Sequence, residues 1–356
     1  MFAMRLADLG RSKEALTPIQ EAIRHYRRIV GAGRDAFLPE LANGLKSLSN
    51  VQSNLGEHDA ALTSAQEAVN YCRELVSARR DAFLPVLAGS LNHLGGAQRA
   101  LGQRDAALTT SEEVVECYRE LVASRRGAFI SELAISLTNL GAVKIELGRH
   151  EDALALAQEA VTLHRTLVET LPDAFSSWLA LSLTNLGVIQ GSLGKSEAAL
   201  ISLRESVDIY RGLVKTYRDA FLPKLAKAIT NLGAACQDVG HEEEAMTLAE
   251  ETVGVYRELT DAQPNTFAPE LALSLNNLGG AQNALGKREM AFASAQEALD
   301  VIWPHLIDTP QAFVDTCVTI LRNMSPCLEA LGKAPTPELL QRIDTVNTIL
   351  RERAPA

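Results

Sequence analysis

Residues 81–126 read DAFLPVLAGSLNHLGGAQRALGQRDAALTTSEEVVECYRELVASRR, and the same pattern returns every 46 residues along the chain. One phenylalanine and one glycine mark each unit, at Phe37, Phe83, Phe129, Phe175, Phe221, Phe267 and Phe313, and at Gly10, Gly56, Gly102, Gly148, Gly194, Gly240, Gly286 and Gly332. A fixed period of this length predicts a stacked array of repeats, which presents an extended surface rather than one enclosed pocket.

Each unit contains the pattern of two amphipathic helices. Leucines at helical spacing, from Leu87 to Leu101, form the apolar stripe of the first helix, and Pro85 suits its first position. Gly102 is expected to end that helix, and basic residues close the second helix at Arg125 and Arg126. The pattern predicts an all-α, right-handed superhelical solenoid of about seven to eight helix–turn–helix repeats, with helices near residues 38–55 and 59–79 and at their 46-residue translates.

Small residues predict where the two helices of a unit touch. Glycine or serine recurs in the first helix at Ser49, Gly95, Gly141, Gly187, Gly233, Gly279 and Ser325. Alanine recurs in the second helix at Ala15, Ala61, Ala107, Ala153, Ala199, Ala245 and Ala291. Because glycine inside a helix costs about 0.5–1 kcal/mol relative to alanine, its recurrence indicates a close approach of two helix backbones.

The run L-x-x-L-G-x-x-x-x-x-L-G-x-x-x-x-A-L resembles the tetratricopeptide repeat, as in Leu183–Leu186–Gly187, Leu193–Gly194 and Ala199–Leu200. The unit has 46 residues rather than the usual 34, and Gln98 and its equivalents replace the usual aromatic residue. This longer form is similar to the repeats of kinesin light chain and of bacterial repeat proteins fused to signalling modules. The resemblance implies a protein-binding array whose first helices line a concave face.

Composition excludes several function classes. A net charge of −10 argues against nucleic acid and against anionic membrane surfaces as partners. The five cysteines form no C-x-x-C pair and indicate reduced, buried thiols in a cytoplasmic protein. The histidines form no metal-binding motif, and the chain has neither a nucleophile elbow nor a phosphate-binding glycine loop, so we expect no enzyme activity, no metal and no cofactor.

The ends of the array differ. We expect a truncated first repeat at 1–34, six full repeats at 35–310, the first helix of a last repeat at 311–334, and a C-terminal capping helix at 335–356. The chain begins inside a first helix, which indicates either a fragment of a longer protein or an end that another chain covers, with self-association through that uncapped end as one form of the second alternative. The final amphipathic helix is interpreted as a cap, with a dimer interface as the alternative.

A row of asparagines is the candidate ligand site. It comprises Asn139, Asn185, Asn231, Asn277 and Asn323, with His93 and Ser47 at the earlier positions, and the residues one place upstream are Asn92, Thr138, Thr184, Thr230 and Asn276. A carboxamide offers both donors and acceptors, so the row is suited to hold the backbone of an extended peptide. In the kinesin-light-chain-like proteins that the chain resembles, asparagines at the matching position line the peptide groove. The alternative is that these side chains only bond neighbouring helices.

A second amide row lies about one turn further along the first helices, at Gln52, Gln98, Gln190 and Gln282, with Lys144 and Cys236 at the intervening units. Because residues one turn apart share a helix face, we expect this row to extend the groove. The resulting groove is neutral and unlike the basic carboxylate clamp of some chaperone-binding relatives. Lys224 and Lys227 add one basic spot for a single acidic side chain.

A charged pair recurs on the second helices. Its members are Glu21, Glu67, Glu113, Glu159, Glu205, Glu251 and Glu297, and Arg27, Arg73, Arg119, Arg165, Arg211 and Arg257. Their repetition in every repeat favours a ladder of ion pairs between repeats over a functional site.

Two functions remain possible from the sequence. One is a non-catalytic scaffold that binds a protein or peptide segment. The other is a ligand-sensing region of a larger signalling protein whose effector or nucleotide-binding domain lies upstream.

Overall fold

The computed structural model describes residues 12–124 and 128–353, and within these ranges it contains helices and no β-strand. A short 3-10 helix, Asp35–Phe37, precedes the second α-helix. The α-helices are α1 Ser12–Gly31, α2 Leu38–Asn54, α3 His58–Ala78, α4 Arg80–Ala100, α5 Arg104–Ser124, α6 Ile130–Glu146, α7 His150–Thr170, α8 Pro172–Ser192, α9 Ser196–Thr216, α10 Arg218–Asp238, α11 Glu242–Ala262, α12 Pro264–Ala284, α13 Arg288–Asp308, α14 Pro310–Ala330 and α15 Pro337–Arg353. The predicted all-α repeat fold is confirmed.

The chain forms two compact units, Met1–Phe175 and Ser176–Ala356, hereafter unit 1 and unit 2, and the division falls within α8. In unit 1, consecutive helices from α1 to α7 pack against each other in chain order. In unit 2, consecutive helices from α9 to α15 do the same. We call α2, α4, α6, α8, α10, α12 and α14 the first helices, and their successors from α3 to α13 the second helices.

The glycine at the end of each first helix has the backbone conformation that the sequence predicts. Gly102 lies at φ +69°, and all its equivalents from Gly56 to Gly332 also have positive φ. The amide of Gly102 donates to the Arg99 carbonyl at 2.9 Å, and the amide of Gln103 donates to the Gln98 carbonyl at 2.9 Å. These bonds satisfy carbonyl groups that a helix end leaves open, and they reverse the chain into the second helix.

The contact between glycine and alanine within a hairpin is confirmed. Ala153 is completely buried, and a Cβ atom on Gly141 would lie 3.8 Å from the Ala153 carbonyl oxygen. On Gly279 it would lie 3.1 Å from the Ala291 carbonyl oxygen, closer than side chains normally approach. We call this internal contact surface of each hairpin the seam.

Most first helices begin earlier than the sequence predicts. Helix α4 begins at Arg80, so Phe83 and Pro85 lie inside it, and the prediction that Pro85 occupies the first helical position is wrong. Only Arg79 separates α4 from the preceding helix, and it has φ −149° and ψ 82°. One extended residue is therefore sufficient to connect the hairpins, and the segment before the proline remains helical.

The recurring phenylalanine packs on an aromatic ring of the preceding helix. Ring centroids of Tyr26 and Phe37, of Tyr118 and Phe129, and of Tyr210 and Phe221 are 6.4 Å apart in each pair. The same centroid distance in three repeats shows that one packing geometry recurs along the chain.

The ladder of ion pairs is confirmed in both units. The pairs, each 40 residues apart in sequence, are Arg27–Glu67, Arg73–Glu113, Arg119–Glu159, Arg211–Glu251 and Arg257–Glu297. The arginine side chains are half exposed, so each pair contributes about 1 kcal/mol or less.

The C-terminal helix α15 packs on α14 and buries Leu339, Val346 and Ile349, whereas Leu340 remains exposed. Arg342 of α15 donates to Glu338 at 2.9 Å and lies 5.1 Å from the centre of the Trp303 ring. The predicted incomplete first helix and its glycine, at residues 1–10, and the basic residues Arg125 and Arg126 lie outside the described residues.

Candidate binding face

The predicted asparagines lie on the outward side of the first helices, and we call them, with His93, the Asn row: His93, Asn139, Asn185, Asn231, Asn277 and Asn323. Asn139, Asn277 and Asn323 are exposed, and the other three are half-buried. The flanking leucines, such as Leu137, Leu140 and Leu183, are buried. The helical period therefore separates a core side from an amide-bearing side in each first helix.

Most members of the Asn row make no internal hydrogen bond. The carboxamides of Asn139, Asn185, Asn231 and Asn277 have no hydrogen-bond partner among the residues that the structure describes. Asn323 differs, because its Nδ2 donates to Oδ1 of Asn276 at 3.1 Å. Among these asparagines, only Asn323 therefore links neighbouring helices in the described part of the chain, as the alternative interpretation expects.

The upstream residues are largely engaged in the fold. The hydroxyl groups of Thr138, Thr184 and Thr230 donate to the carbonyl oxygens four residues earlier, at 2.9–3.0 Å. Thr184 is buried and lies 2.7 Å from the Ser206 hydroxyl. Asn92 is half-buried and forms a hydrogen bond with Tyr118. These positions support the face rather than present free groups.

The prediction that Gln190 and Gln282 line the groove is wrong. Both are buried, and their Oε1 atoms accept hydrogen bonds from Ser202 and Ser294 of the following helix at 2.8 Å. The glutamine lies five residues after the Asn row, which rotates it by about 140° around the helix axis and into the seam. Gln52 makes the same bond with Ser64 at 2.7 Å, whereas the Oε1 atom of buried Gln98 has no partner among the described residues.

His93 is the one titratable member of the Asn row in the described residues. Burial, together with the positive charge of Lys46, lowers its pKa to about 4. The ring is therefore neutral at pH 7 and, like an asparagine, offers one donor and one acceptor.

Exposed apolar side chains accompany the Asn row in unit 2. Leu181 and Leu273 lie four residues before Asn185 and Asn277, and Val188 lies three residues after Asn185. Their exposures are 38%, 43% and 45%, in that order. Sequence reasoning missed them, although spacings of three and four residues from a known surface position place them on the same helix face.

The basic spot is present on α10. Lys227 is exposed and makes no ion pair with a described residue, and Nζ of Lys224 lies 5.1 Å from the centre of the Phe221 ring.

Two clefts open between successive first helices of unit 2. The cleft between α10 and α12 has a volume of about 90 Å³, and its lining includes Thr230, Gln237 and Asn277. The cleft between α12 and α14 has a volume of about 170 Å³, and its lining includes Asn276, Arg322 and Asn323. Each cleft has one member of the Asn row in its lining, Asn277 in the first and Asn323 in the second.

The described residues contain no group of three or more His, Cys, Asp or Glu side chains placed to hold a metal ion. Burial raises the pKa of the Cys117, Cys236 and Cys317 thiols to about 11, which keeps them protonated and poorly nucleophilic. No helix in the described part of the chain, including α8 with its single charged residue Asp173, is long and apolar enough to cross a membrane.

Comparison with protein families identifies the repeat. Three family models described as tetratricopeptide repeat match residues 87–124, 132–212 and 226–303, which together cover more than half of the chain. A fourth, described as anaphase-promoting complex subunit 5, matches residues 1–28 and 40–95. Among curated proteins no match was found.

Solved structures share the fold at low sequence identity. BtubC (BKLC) from P. vanneervenii is 18% identical with a TM-score of 0.57, over 70% of this chain and 92% of that chain. A signal transduction ATPase with numerous domains from Pyrococcus horikoshii, which has a tetratricopeptide repeat sensor, is 13% identical with a TM-score of 0.59, over 88% of this chain and 47% of that chain.

Proposed function

Because the chain belongs to the tetratricopeptide repeat family, whose repeats generally mediate interactions between proteins, we propose that it is a non-catalytic scaffold that holds an extended segment of another protein against the Asn row. The observation that carries this proposal is the state of Asn139, Asn185, Asn231 and Asn277. Their carboxamides face outward and have no hydrogen-bond partner among the described residues.

A carboxamide matches the hydrogen-bonding groups of a peptide backbone. Its Nδ2 donates to a peptide carbonyl while its Oδ1 accepts from a peptide amide, and an extended peptide presents both groups along its length. Backbone recognition of this kind is independent of side-chain identity. The exposed Leu181, Val188 and Leu273 add apolar contacts beside the amides, which favours segments that contain apolar residues.

The surface charge favours protein over other macromolecular partners. In unit 2 the Asn row is uncharged, and the cations on the same side of the first helices are few and separated, as Lys227 and Arg322 are. A nucleic acid requires clustered lysine and arginine, which this face lacks among its described residues.

Substitution of the Asn row tests the proposal. The triple variant Asn185→Ala, Asn231→Ala, Asn277→Ala removes three hydrogen-bonding groups within unit 2. The ligand is a protein segment that is captured from the native cell and mapped with tiled peptides. If the three sites are independent, its binding free energy, measured by calorimetry, should weaken by about 1.5–4.5 kcal/mol. Asn139→Ala tests unit 1 by itself, with a segment whose binding maps to unit 1, and should weaken that binding by about 0.5–1.5 kcal/mol.

A matched control tests whether the effect is specific to the Asn row or follows from the loss of any exposed asparagine. Asn70, Asn265 and Asn347 are exposed asparagines outside the Asn row, and their triple alanine variant should bind normally. Normal binding by the Asn-row variant, or its loss of fold by circular dichroism, would show that the row is structural and that the proposal is wrong.

A second candidate is a ligand-sensing region of a larger signalling protein. The fold shared with the Pyrococcus horikoshii ATPase, over 88% of this chain, motivates this candidate. It uses the same face but requires an effector or nucleotide-binding domain outside the chain. Sequencing of the gene upstream of the codon for Met1 decides between them, because an in-frame nucleotide-binding domain supports the sensor and an in-frame stop codon contradicts it.

A further inference from the structure

The two clefts of unit 2 are copies of each other, one repeat apart. Thr230, Gly233, Ala234 and Gln237 of α10 become Asn276, Gly279, Gly280 and Asn283 of α12 in the second cleft. The floor changes from Ala245 and Ala249 to Ala291 and Ala295, and Asn277 is replaced by Asn323. A bound segment that follows the Asn row therefore meets two equivalent openings in succession.

The first cleft is uncharged. Its polar lining comes from Thr230, Gln237, Thr252, Ser274 and Asn277, and its floor is alanine. The hydroxyl of Thr230 is already bonded to the Ala226 carbonyl, and that of Thr252 to the Leu248 carbonyl. This cleft suits a small uncharged side chain.

The second cleft is rich in donors. Oδ1 of Asn276 already accepts from Asn323, and Oδ1 of Asn283 accepts from the Cys327 thiol at 3.9 Å. Both residues therefore retain N–H groups for a ligand. Arg322 occupies a position that is threonine or asparagine from Asn92 to Asn276 and lysine at Lys46, and it makes no ion pair with a described residue. No carboxylate is among the described residues that line this cleft.

We infer that the second cleft binds a carboxylate side chain of the partner segment, with Arg322 and the amides of Asn276 and Asn283 as donors. A carboxylate has only acceptor sites, and a charge-assisted bond to a guanidinium is stronger than a neutral one. Adjacent helices lie about 8–10 Å apart and an extended chain advances about 3.3 Å per residue, so the acidic residue should lie about three positions from the residue in the first cleft. This inference rests on the proposed function, since it assumes an extended segment along the Asn row.

A library of random linear peptides, fused at their carboxyl ends to a phage coat protein, provides the test. Selection on the full chain should enrich Asp or Glu at one position, about three residues from a small uncharged residue. Selection on Arg322→Gln should lose that preference, and Arg322→Glu should replace it with Lys or Arg. A selected peptide, synthesised with an amidated terminus, should bind Arg322→Gln about tenfold more weakly by fluorescence polarisation.

Arg351→Gln is the matched control, because Arg351 is an exposed arginine of α15 in the same unit, and this variant should retain the acidic preference. Thermal melting of every variant should match the parent chain, since position 322 is exposed. If peptides bind in a manner that depends on the Asn row but no acidic preference depends on Arg322, the inference is overturned and the proposed function stands. The inference is also overturned if the synthetic peptides bind only with a free terminal carboxylate and not with an amidated terminus. If no peptide is enriched on the parent chain, both the inference and the proposed function fail.

Discussion

The Asn row and the glutamines of unit 2 lie on the same helices and contain the same carboxamide group, yet they meet different surroundings. Asn277 is exposed, whereas Gln282 is buried and accepts a hydrogen bond from Ser294. The separation of five positions turns the side chain from the outer face into the seam. The difference shows that angular position on the helix, rather than residue type, decides whether an amide stabilises the fold or is free to bind.

In unit 1, acid should act on two histidines whose pKa values are lowered to about 4, His93 of the Asn row and the buried His164. His164 occupies the register of Tyr118 and is buried, and its burial lowers its pKa to about 4. The unfolded chain takes up this proton near pH 6.5, so the unfolded state binds more protons between pH 6.5 and 4, and stability falls as the pH is lowered through that window. The expected loss is at most about 3 kcal/mol.

Urea unfolding at several pH values measures this effect. His164→Tyr, which restores the residue of neighbouring repeats, should flatten the pH dependence, and His93→Asn should flatten it to a similar extent because the pKa of His93 is lowered as far. Equal slopes for the parent chain and His164→Tyr would contradict the burial of a neutral His164.

Overpacking should distinguish the seam from the surface. Ala153→Leu places a larger side chain where Ala153 is completely buried, and it should destabilise the fold by about 1–3 kcal/mol. Ala334→Leu, at an exposed position after α14, should be near neutral. The midpoint of urea unfolding reports both values, and similar losses at the two positions would show that the helix contact is misplaced.

The two amides themselves give the smallest and most specific contrast. Gln282→Ala leaves the buried Ser294 hydroxyl without its acceptor and should cost about 1–2 kcal/mol of stability without a direct effect on peptide affinity. Asn277→Ala should change stability by less than about 0.5 kcal/mol and weaken binding. Urea unfolding measures the stabilities and calorimetry the affinities. If Gln282→Ala weakened binding and Asn277→Ala weakened the fold, the assignment of the two amides would be wrong.

Much of the fold could be predicted from the sequence because its determinants are local and repeated. The cap at Gly102, the contact of Gly141 with Ala153 and the pair Arg73–Glu113 each follow from residue types at fixed intervals. The start of α4 could not be predicted in this way. Pro85 suggests a helix start, but the one-residue connection at Arg79 depends on how the whole hairpin meets its neighbour.

The binding face could be predicted only in part. The outward direction of Asn139 and Asn277 follows from helical spacing relative to the buried leucines. The clefts could not be predicted, because their shape depends on the separation of helices that are far apart in sequence. The donor character of the second cleft depends on the bond between Asn276 and Asn323, which requires three-dimensional coordinates.

The interval between bonded partners has a consequence for how such a chain changes over generations. Arg27 pairs with Glu67 across 40 residues, and Asn323 bonds Asn276 across 47, so each partner lies within about one repeat. Unequal recombination that duplicates or deletes one internal repeat would therefore return every residue to an equivalent partner. The number of repeats, and with it the length of the Asn row, is then a trait that can vary by whole repeats without a new fold.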